Sequence, residues 1–238
     1  MTDWRALCQQ LAAYDTPTIC NVIELFGVRP LLSGFTGRTI RAAYPSLPPM
    51  VGFASTAICR VDIPHADGQP AIQLTDHLRR FAELSGPPVI VLQDLSPSSP
   101  AASFGELMCT AYRAFGARGL LTNGAGRDLE QIAALRFPLF MDGAIASHGH
   151  FHFIDLHTEV QIGGIPVRPD DLIHADLNGV VVIPRELAES IPAAAAEFIA
   201  AEQLILRALR QPSVTLDAFE DALASAGQRF EALRQRLR

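Results

Sequence analysis

RGLLTNGAGRDLEQ, residues 118–131, decides how this chain is read. GLLTN (119–123) is a short apolar run of the kind that forms a buried strand, and the residues from Asp128 to about Leu135 suit a short helix. Between them stand Gly124, Gly126, Arg127 and Asp128. The two glycines are read as freedom for a tight bend. A fixed cation and a carboxylate then lie side by side where a strand hands over to a helix. In an open α/β sheet that edge is where ligands bind.

The same strand–loop–helix rhythm occurs just upstream. PVIVLQDL (88–95) is a continuous apolar run, as expected of a strand buried on both faces. SPSSPAASFGE (96–106) reads as a loop, and Glu106–Phe115 as a helix ending at Gly116. Further out, residues 3–13 suit an amphipathic helix. Asp15-Thr16-Pro17 starts another, which runs to Phe26 and stops at Gly27. Residues 28–50, rich in Pro and Gly, are expected to wander over the surface. VGFASTAICRVDI (51–63) alternates as a strand does, Pro70 to Leu84 reads as a helix, and FPLFM (137–141) as a short strand.

From 151 to 183 the pattern changes to short strands between Gly, Pro and Asp turns: FHFIDLH, EVQIG, IPVRP, DLIHAD and GVVVIP. After Pro184 the chain is helical, from 185 to about 210 and from 214 to 235. We read one α/β domain with a mixed sheet over residues 1–190. Residues 191–238 form a helical extension packed on that domain or on a neighbouring subunit. The charged, amphipathic FEDALASAGQRFEALRQRLR suits either a solvated helix or an oligomer contact.

Composition narrows the function. The 238 residues are 49% hydrophobic and 18% charged, ample for a core. The net charge is −6 and no Lys/Arg stripe is present, which argues against nucleic acid as a ligand. Cys8, Cys20, Cys59 and Cys109 are scattered with no CxxC pair, as reduced thiols of a cytoplasmic protein are. The first residues lack the apolar stretch of a signal peptide, and no run is long enough to span a membrane.

Three sets of residues could carry chemistry. SHGHFHFIDLH spaces His148, His150 and His152 by two, so on a strand all three share a face and could bind zinc; with no Cys or acidic partner at a recognised spacing, a polar, partly exposed strand face accounts for them better. His174, in LIHAD, reads as structural. Asp170, Asp171 and Asp176 have the wrong spacing for an EF-hand and the right one for turns. The third set joins Arg127-Asp128 to Gly105-Glu106. Consecutive βα loops emerge on one sheet edge, so the two helix starts can converge. Their free N–H groups suit a carboxylate, Arg127 adds a cation, and Asp128 and Glu106 offer hard oxygens to a divalent metal. Helix capping by Asp128 and a surface ion pair for Arg127 would explain the same residues.

At these positions the sequence resembles the RraA-like family. That family holds the class II 4-hydroxy-4-methyl-2-oxoglutarate/4-carboxy-4-hydroxy-2-oxoadipate aldolases and the regulator of ribonuclease E activity. Its aldolases show an acid, twenty residues, then Arg-Asp; here Glu106 is followed by twenty residues and Arg127-Asp128. FGEL, GARGLLTNGAGRDLEQI, FPLF, IGGIPVRPDDLIHADLNGVVVIP and DTPTICNVIELFG match as well, over residues 14 to 190.

The resemblance implies a layered α/β sandwich with a mixed sheet, related to swivelling phosphohistidine domains. It also implies a homotrimer or hexamer with sites between subunits. It makes Asp128 the direct ligand of Mg²⁺ or Mn²⁺, and the backbone after Gly105, at Leu107 and Met108, the holder of a 2-oxo acid's carboxylate. Arg127 would face the keto oxygen and Glu106 would hold water. The implied activity is metal-dependent aldol cleavage to pyruvate, with decarboxylation of oxaloacetate through the same enolate. The alternative is a non-catalytic regulator that contacts an RNA-processing enzyme; a zinc hydrolase on the histidines is a third possibility. Regulatory members tend to lack the acid at the Glu106 position, so its presence favours the enzyme. The chain departs from the pattern in having Glu106 rather than Asp, Asn21 where relatives often carry Asp, and the His-rich segment. Glu24, one turn beyond Asn21, is a candidate for a neighbouring subunit's site.

Overall fold

Strands of alternating large apolar residues, covered on both faces, build the centre of the molecule. The structure, a computed structural model, describes residues 2–68 and 70–238. Its first half runs α1 (Trp4–Leu11), α2 (Thr16–Phe26), β1 (Arg41–Ala42), β2 (Met50–Arg60), α3 (Leu74–Arg80), β3 (Pro88–Asp94), β4 (Ala102–Phe104) and α4 (Glu106–Ala114). Then follow β5 (Leu120–Thr122), β6 (Ala125–Gly126), α5 (Leu129–Ala134), β7 (Leu139–Met141), β8 (Gly143–Ala144) and β9 (His152–Leu156). The chain continues with β10 (Val160–Ile162), β11 (Ile165–Val167), β12 (Leu172–Asp176), β13 (Gly179–Ile183), α6 (Ile191–Leu209) and α7 (Leu216–Leu237).

The main sheet has the order β1-β7-β5-β3-β2-β12-β13, with β9 also paired to β2. β2, β3, β5 and β7 run parallel; β1, β9, β12 and β13 join antiparallel. The architecture is therefore mixed α/β, as the sequence predicts. On β3, Ile90 and Leu92 face α4 and α5, where they meet Tyr112, Cys109 and Ile132. Val89 and Val91 face the other way, towards the β10–β11 hairpin and β12. All four are fully buried, each worth about 1.5–3 kcal/mol of apolar transfer.

The described residues fall into two compact units. One holds the residues up to Thr16 with Gly34–Arg185; the other holds Pro17–Ser33 and Glu186–Arg238. In the second, α6 and α7 pack together, with the Phe198 and Phe230 rings 4.8 Å apart and Arg236 paired to Glu197 at 2.6 Å. Asn21 and the exposed Glu24 lie on α2, also in this unit. Among the described residues no helix is long and apolar enough to cross a membrane.

Several local readings need correction. Residues 70–73 precede α3 rather than belonging to it, because Ile72 bridges Phe153 and Gln73 caps the helix, its N–H donating to Asp76 at 2.9 Å. Strands also form inside the 96–106 loop and the glycine turn: β4, β6 and β8 make a second, parallel sheet of their own. β3, β5 and β7 are parallel neighbours, so the loops that leave them run side by side and pair. Of the acids of the PDDLIHADLNG segment, Asp171 and Asp176 make turn bonds, as read, whereas the Asp170 carboxylate accepts from the N–H of Ser85 at 2.7 Å and pairs with Arg185 at 2.6 Å. The Asp176 carboxylate accepts from the N–H of Asn178 at 2.8 Å and of Thr16 at 2.9 Å, and Asp171 accepts from the N–H of Arg168 at 2.7 Å. His174 is fully buried between the Thr16 hydroxyl and the Leu11 carbonyl.

Candidate active site

The small β4-β6-β8 sheet assembles the site. Ala102 pairs with Ala125 and Phe104 with Gly126, and the Phe104 carbonyl accepts from the N–H of Arg127 at 3.2 Å. Neither Gly124 nor Gly126 takes a positive φ, so bending freedom is not their role. The segment is extended, and what it needs is room. A Cβ on Gly126 would lie 2.2 Å from the Phe104 ring, and one on Gly124 2.3 Å from the Ser103 hydroxyl. The bend falls on Asp128, at φ 60° and ψ 38°. Aspartate tolerates this left-handed conformation better than most residues do, and the strain marks a position held by its surroundings.

That bend turns the Asp128 carboxylate back towards α4. Its Oδ2 accepts the backbone N–H of Glu106 at 3.0 Å and lies 3.7 Å from Arg127 Nε. A Cβ on Gly105 would stand 2.5 Å from the same Oδ2, so only glycine permits this approach. The two side chains are 36% and 35% exposed, open to solvent and to a ligand. Among the described residues the N–H groups of Leu107 and Met108, in the first turn of α4, have no acceptor, as helix starts leave them. The helix-start residues Gly105, Leu107 and Met108 thus come together with Arg127 and Asp128. Glu106 joins them through its backbone; its side chain is exposed and does not line the cleft.

These groups open into a cleft of about 370 Å³ that is also lined by His148, Gly149 and Phe151. Another cleft, of about 250 Å³, is lined by Arg5, Arg118 and Arg136 and lacks the acid–cation pairing. The histidines do not share a strand face, because β9 begins only at His152. His148 Nδ1 lies 3.1 Å from the Gly149 carbonyl and His152 Nδ1 2.8 Å from that of His150. Among the described residues no three His, Cys, Asp or Glu side chains are grouped to hold a metal, so these imidazoles build no zinc site. A mostly hydrated cation has other needs. Asp128 Oδ1 has no protein donor among the described residues and borders the cleft. One hard oxygen of this kind fits an ion such as Mg²⁺, which keeps several waters.

Beneath the cleft lies a carboxylate that the sequence reading missed. Asp94, at the end of β3, accepts from the Ser96 N–H at 2.8 Å, the Ser103 hydroxyl at 2.8 Å and the Ser99 hydroxyl at 3.1 Å. The Asn123 side chain brackets its backbone at 2.8 and 2.9 Å. An aspartate after an apolar strand, followed by serines, was the available signal. Cys109, on the buried side of α4, has its thiol pushed up to about 12 by burial and then by the charge of Asp128, which disfavours the nucleophilic thiolate.

Fold and cleft together define a mixed α/β protein with a largely apolar pocket, carrying Arg127 and Asp128, at the carboxyl ends of its parallel strands. The Aldolase/RraA model of the RraA-like family matches residues 16–182, and the chain belongs to that family. A relative from Halalkalibacterium halodurans named "Putative 4-hydroxy-4-methyl-2-oxoglutarate aldolase" is 33% identical over 115 residues, 48% of this chain and 54% of that protein. The chain thus spans about half the length of that curated relative. The crystal structure of an uncharacterized protein from Pseudomonas syringae pv. tomato is similar at a TM-score of 0.72 and 22% identity, over 92% of this chain and 93% of that one. Streptomyces coelicolor RraAS2, "an unusual member of the RNase ES inhibitor RraA protein family", is similar at 0.65 and 22%, over 83% and 94%. At these identities the two structures establish the fold.

Proposed function

We propose that this protein is a carbon–carbon lyase. It cleaves a 4-hydroxy-2-oxo acid, such as 4-hydroxy-4-methyl-2-oxoglutarate, to pyruvate through an enolate, and it decarboxylates oxaloacetate through the same enolate. The observation that carries this reading is the meeting of Arg127, Asp128 and the open N–H groups of Leu107 and Met108 in one cleft. Membership of a family with relatives named as aldolases supports it.

The chemistry asks for such a set. Breaking the C3–C4 bond leaves an electron pair beside a keto group, and the barrier falls if that charge is stabilised on oxygen. Arg127, planar and always charged, serves that oxygen. The open amides of α4, with the partial positive charge of the helix start, take the carboxylate. Two different kinds of donor at the two ends of the 2-oxo group fix its orientation. The Glu106 N–H and the left-handed turn hold Asp128 in place. A divalent cation, Mg²⁺ or Mn²⁺, held by Asp128 would supply Lewis-acid polarisation of the keto oxygen. Glu106 holds Asp128 through its backbone N–H; its exposed side chain would order water only from outside the cleft lining. A homotrimer or hexamer in the cytoplasm completes the reading.

The test is pyruvate release from 4-hydroxy-4-methyl-2-oxoglutarate and from oxaloacetate, coupled to lactate dehydrogenase, with Mg²⁺ and then with EDTA. The spontaneous decay of oxaloacetate is subtracted. We expect turnover that EDTA removes. Absence of turnover on both substrates, with Mg²⁺ and with Mn²⁺, would sink the reading.

A further inference from the structure

We propose that His148 is the general base that takes the proton from the C4 hydroxyl during aldol cleavage. The inference rests on the lyase reading above and assigns it a group that neither Arg127 nor Asp128 supplies. Three parallel neighbours, β3, β5 and β7, each send a loop into the β4-β6-β8 sheet. The first loop delivers the open amides of α4, the second Arg127 and Asp128, and the third His148, which faces the same cleft.

The third loop is anchored. His148 bridges Ala102 of β4, and the Ser147 carbonyl accepts the Ala102 N–H at 2.8 Å. One residue on, Gly149 packs so closely that a Cβ would lie 2.2 Å from the Val61 carbonyl. The His150 N–H donates to that same carbonyl at 2.8 Å. The backbone on both sides of His148 is therefore fixed.

The ring is also oriented. With Nδ1 donating to the Gly149 carbonyl at 3.1 Å, the neutral imidazole carries its lone pair on Nε2. Nε2 has no protein partner among the described residues. A base needs such an unshared lone pair within reach of the proton.

The step balances. Nε2 takes the hydroxyl proton, the C4–O bond becomes a carbonyl, and the C3–C4 pair moves into the enolate of pyruvate. The imidazolium then returns that proton to C3, which gives pyruvate and a neutral ring. Decarboxylation of oxaloacetate has no hydroxyl proton to remove, so it needs no base at this point. The two reactions therefore separate a base from a residue that merely shapes the cleft.

The experiment measures both reactions in the wild-type protein and in His148→Asn and His148→Ala. We expect the ratio of cleavage to decarboxylation to fall about 10²-fold or more in both variants, the usual range for a lost base. Added imidazole should restore part of the cleavage rate in His148→Ala. An unchanged ratio, with both rates lowered alike or neither lowered, overturns the proposal while the lyase reading stands. A wild-type protein inactive on both substrates overturns the two together.

Discussion

Two histidines of this protein sit in opposite circumstances. His77 is fully buried, with Nε2 3.0 Å from the Ser55 hydroxyl, Nδ1 3.0 Å from the Tyr112 hydroxyl, and the rings of Phe81 and Phe153 edge-on around it. His148 is exposed at a cleft, with one nitrogen engaged and one open. Side by side, Ser55, His77 and Tyr112 look more like a catalytic array than anything in the cleft. Nothing can reach them, and every valence of the imidazole is used. The comparison teaches that saturation marks structure, while the proposed chemistry uses donors and acceptors that are left over: His148 Nε2, Asp128 Oδ1 and the first amides of α4.

That contrast can be broken most sharply at Asp128. Asp128→Asn keeps a residue that accepts the left-handed turn and removes the charge. We expect turnover to fall about 10³-fold, the upper range for loss of a preorganised electrostatic group. Calorimetric titration with Mg²⁺ should show binding lost while the thermal midpoint holds. Normal turnover and binding would move the functional acid elsewhere. Arg127→Lys keeps the charge and loses the planar fork, and kcat should drop about 10²-fold.

Gly105→Ala places a methyl 2.5 Å from Asp128 Oδ2, too close for both to stay. A displaced carboxylate should cost about 10-fold to 10²-fold in kcat/KM with the fold intact by circular dichroism. Unimpaired kinetics would mean that the close approach is incidental.

The buried member of the pair gives the smallest effect on activity and a distinct one on stability. Burial, with a lesser push from His157 and against an opposing hydrogen bond from Ser55, drives the His77 imidazole down from 6.5 to about 4. The unfolded chain therefore binds a proton near pH 6.5 that the folded protein refuses until about pH 4. Stability is complete above that window and falls with pH inside it, by roughly 3 kcal/mol in all. Urea midpoints from pH 7.5 to 4.5 should trace the fall, and His77→Asn should flatten it. An equal slope in that variant would shift the titration to other groups.

Much of this was legible beforehand, for identifiable reasons. The apolar runs around Val89–Leu92 and Leu120–Leu121 are continuous because both sheet faces are covered. Helix stops at Gly27 and Gly116 were readable because both take positive φ. Arg127-Asp128 stood out because charge at the end of a buried strand needs a reason. The β4-β6-β8 sheet was not legible. Its strands are two or three residues long and owe their existence to the parallel order of β3, β5 and β7, which no local pattern records. The glycines of the turn were noticed for the wrong cause: their missing side chains make room for Phe104 and Ser103. The histidine spacing suggested a strand face because period two is all a sequence can show. Only the fold reveals that the strand starts after two of the three have passed.

The left-handed backbone at Asp128 has a consequence for how this position can change over generations. Two filters act on the same codon. The turn admits aspartate, asparagine and glycine readily and most other residues poorly. The proposed chemistry admits a carboxylate, which glutamate also carries. Aspartate is the residue that meets both best. Glutamate, the nearest chemical neighbour, is disfavoured by the turn, and asparagine, the nearest conformational one, lacks the charge. On the proposed reading, a substitution at this position would lose the reaction while keeping the fold.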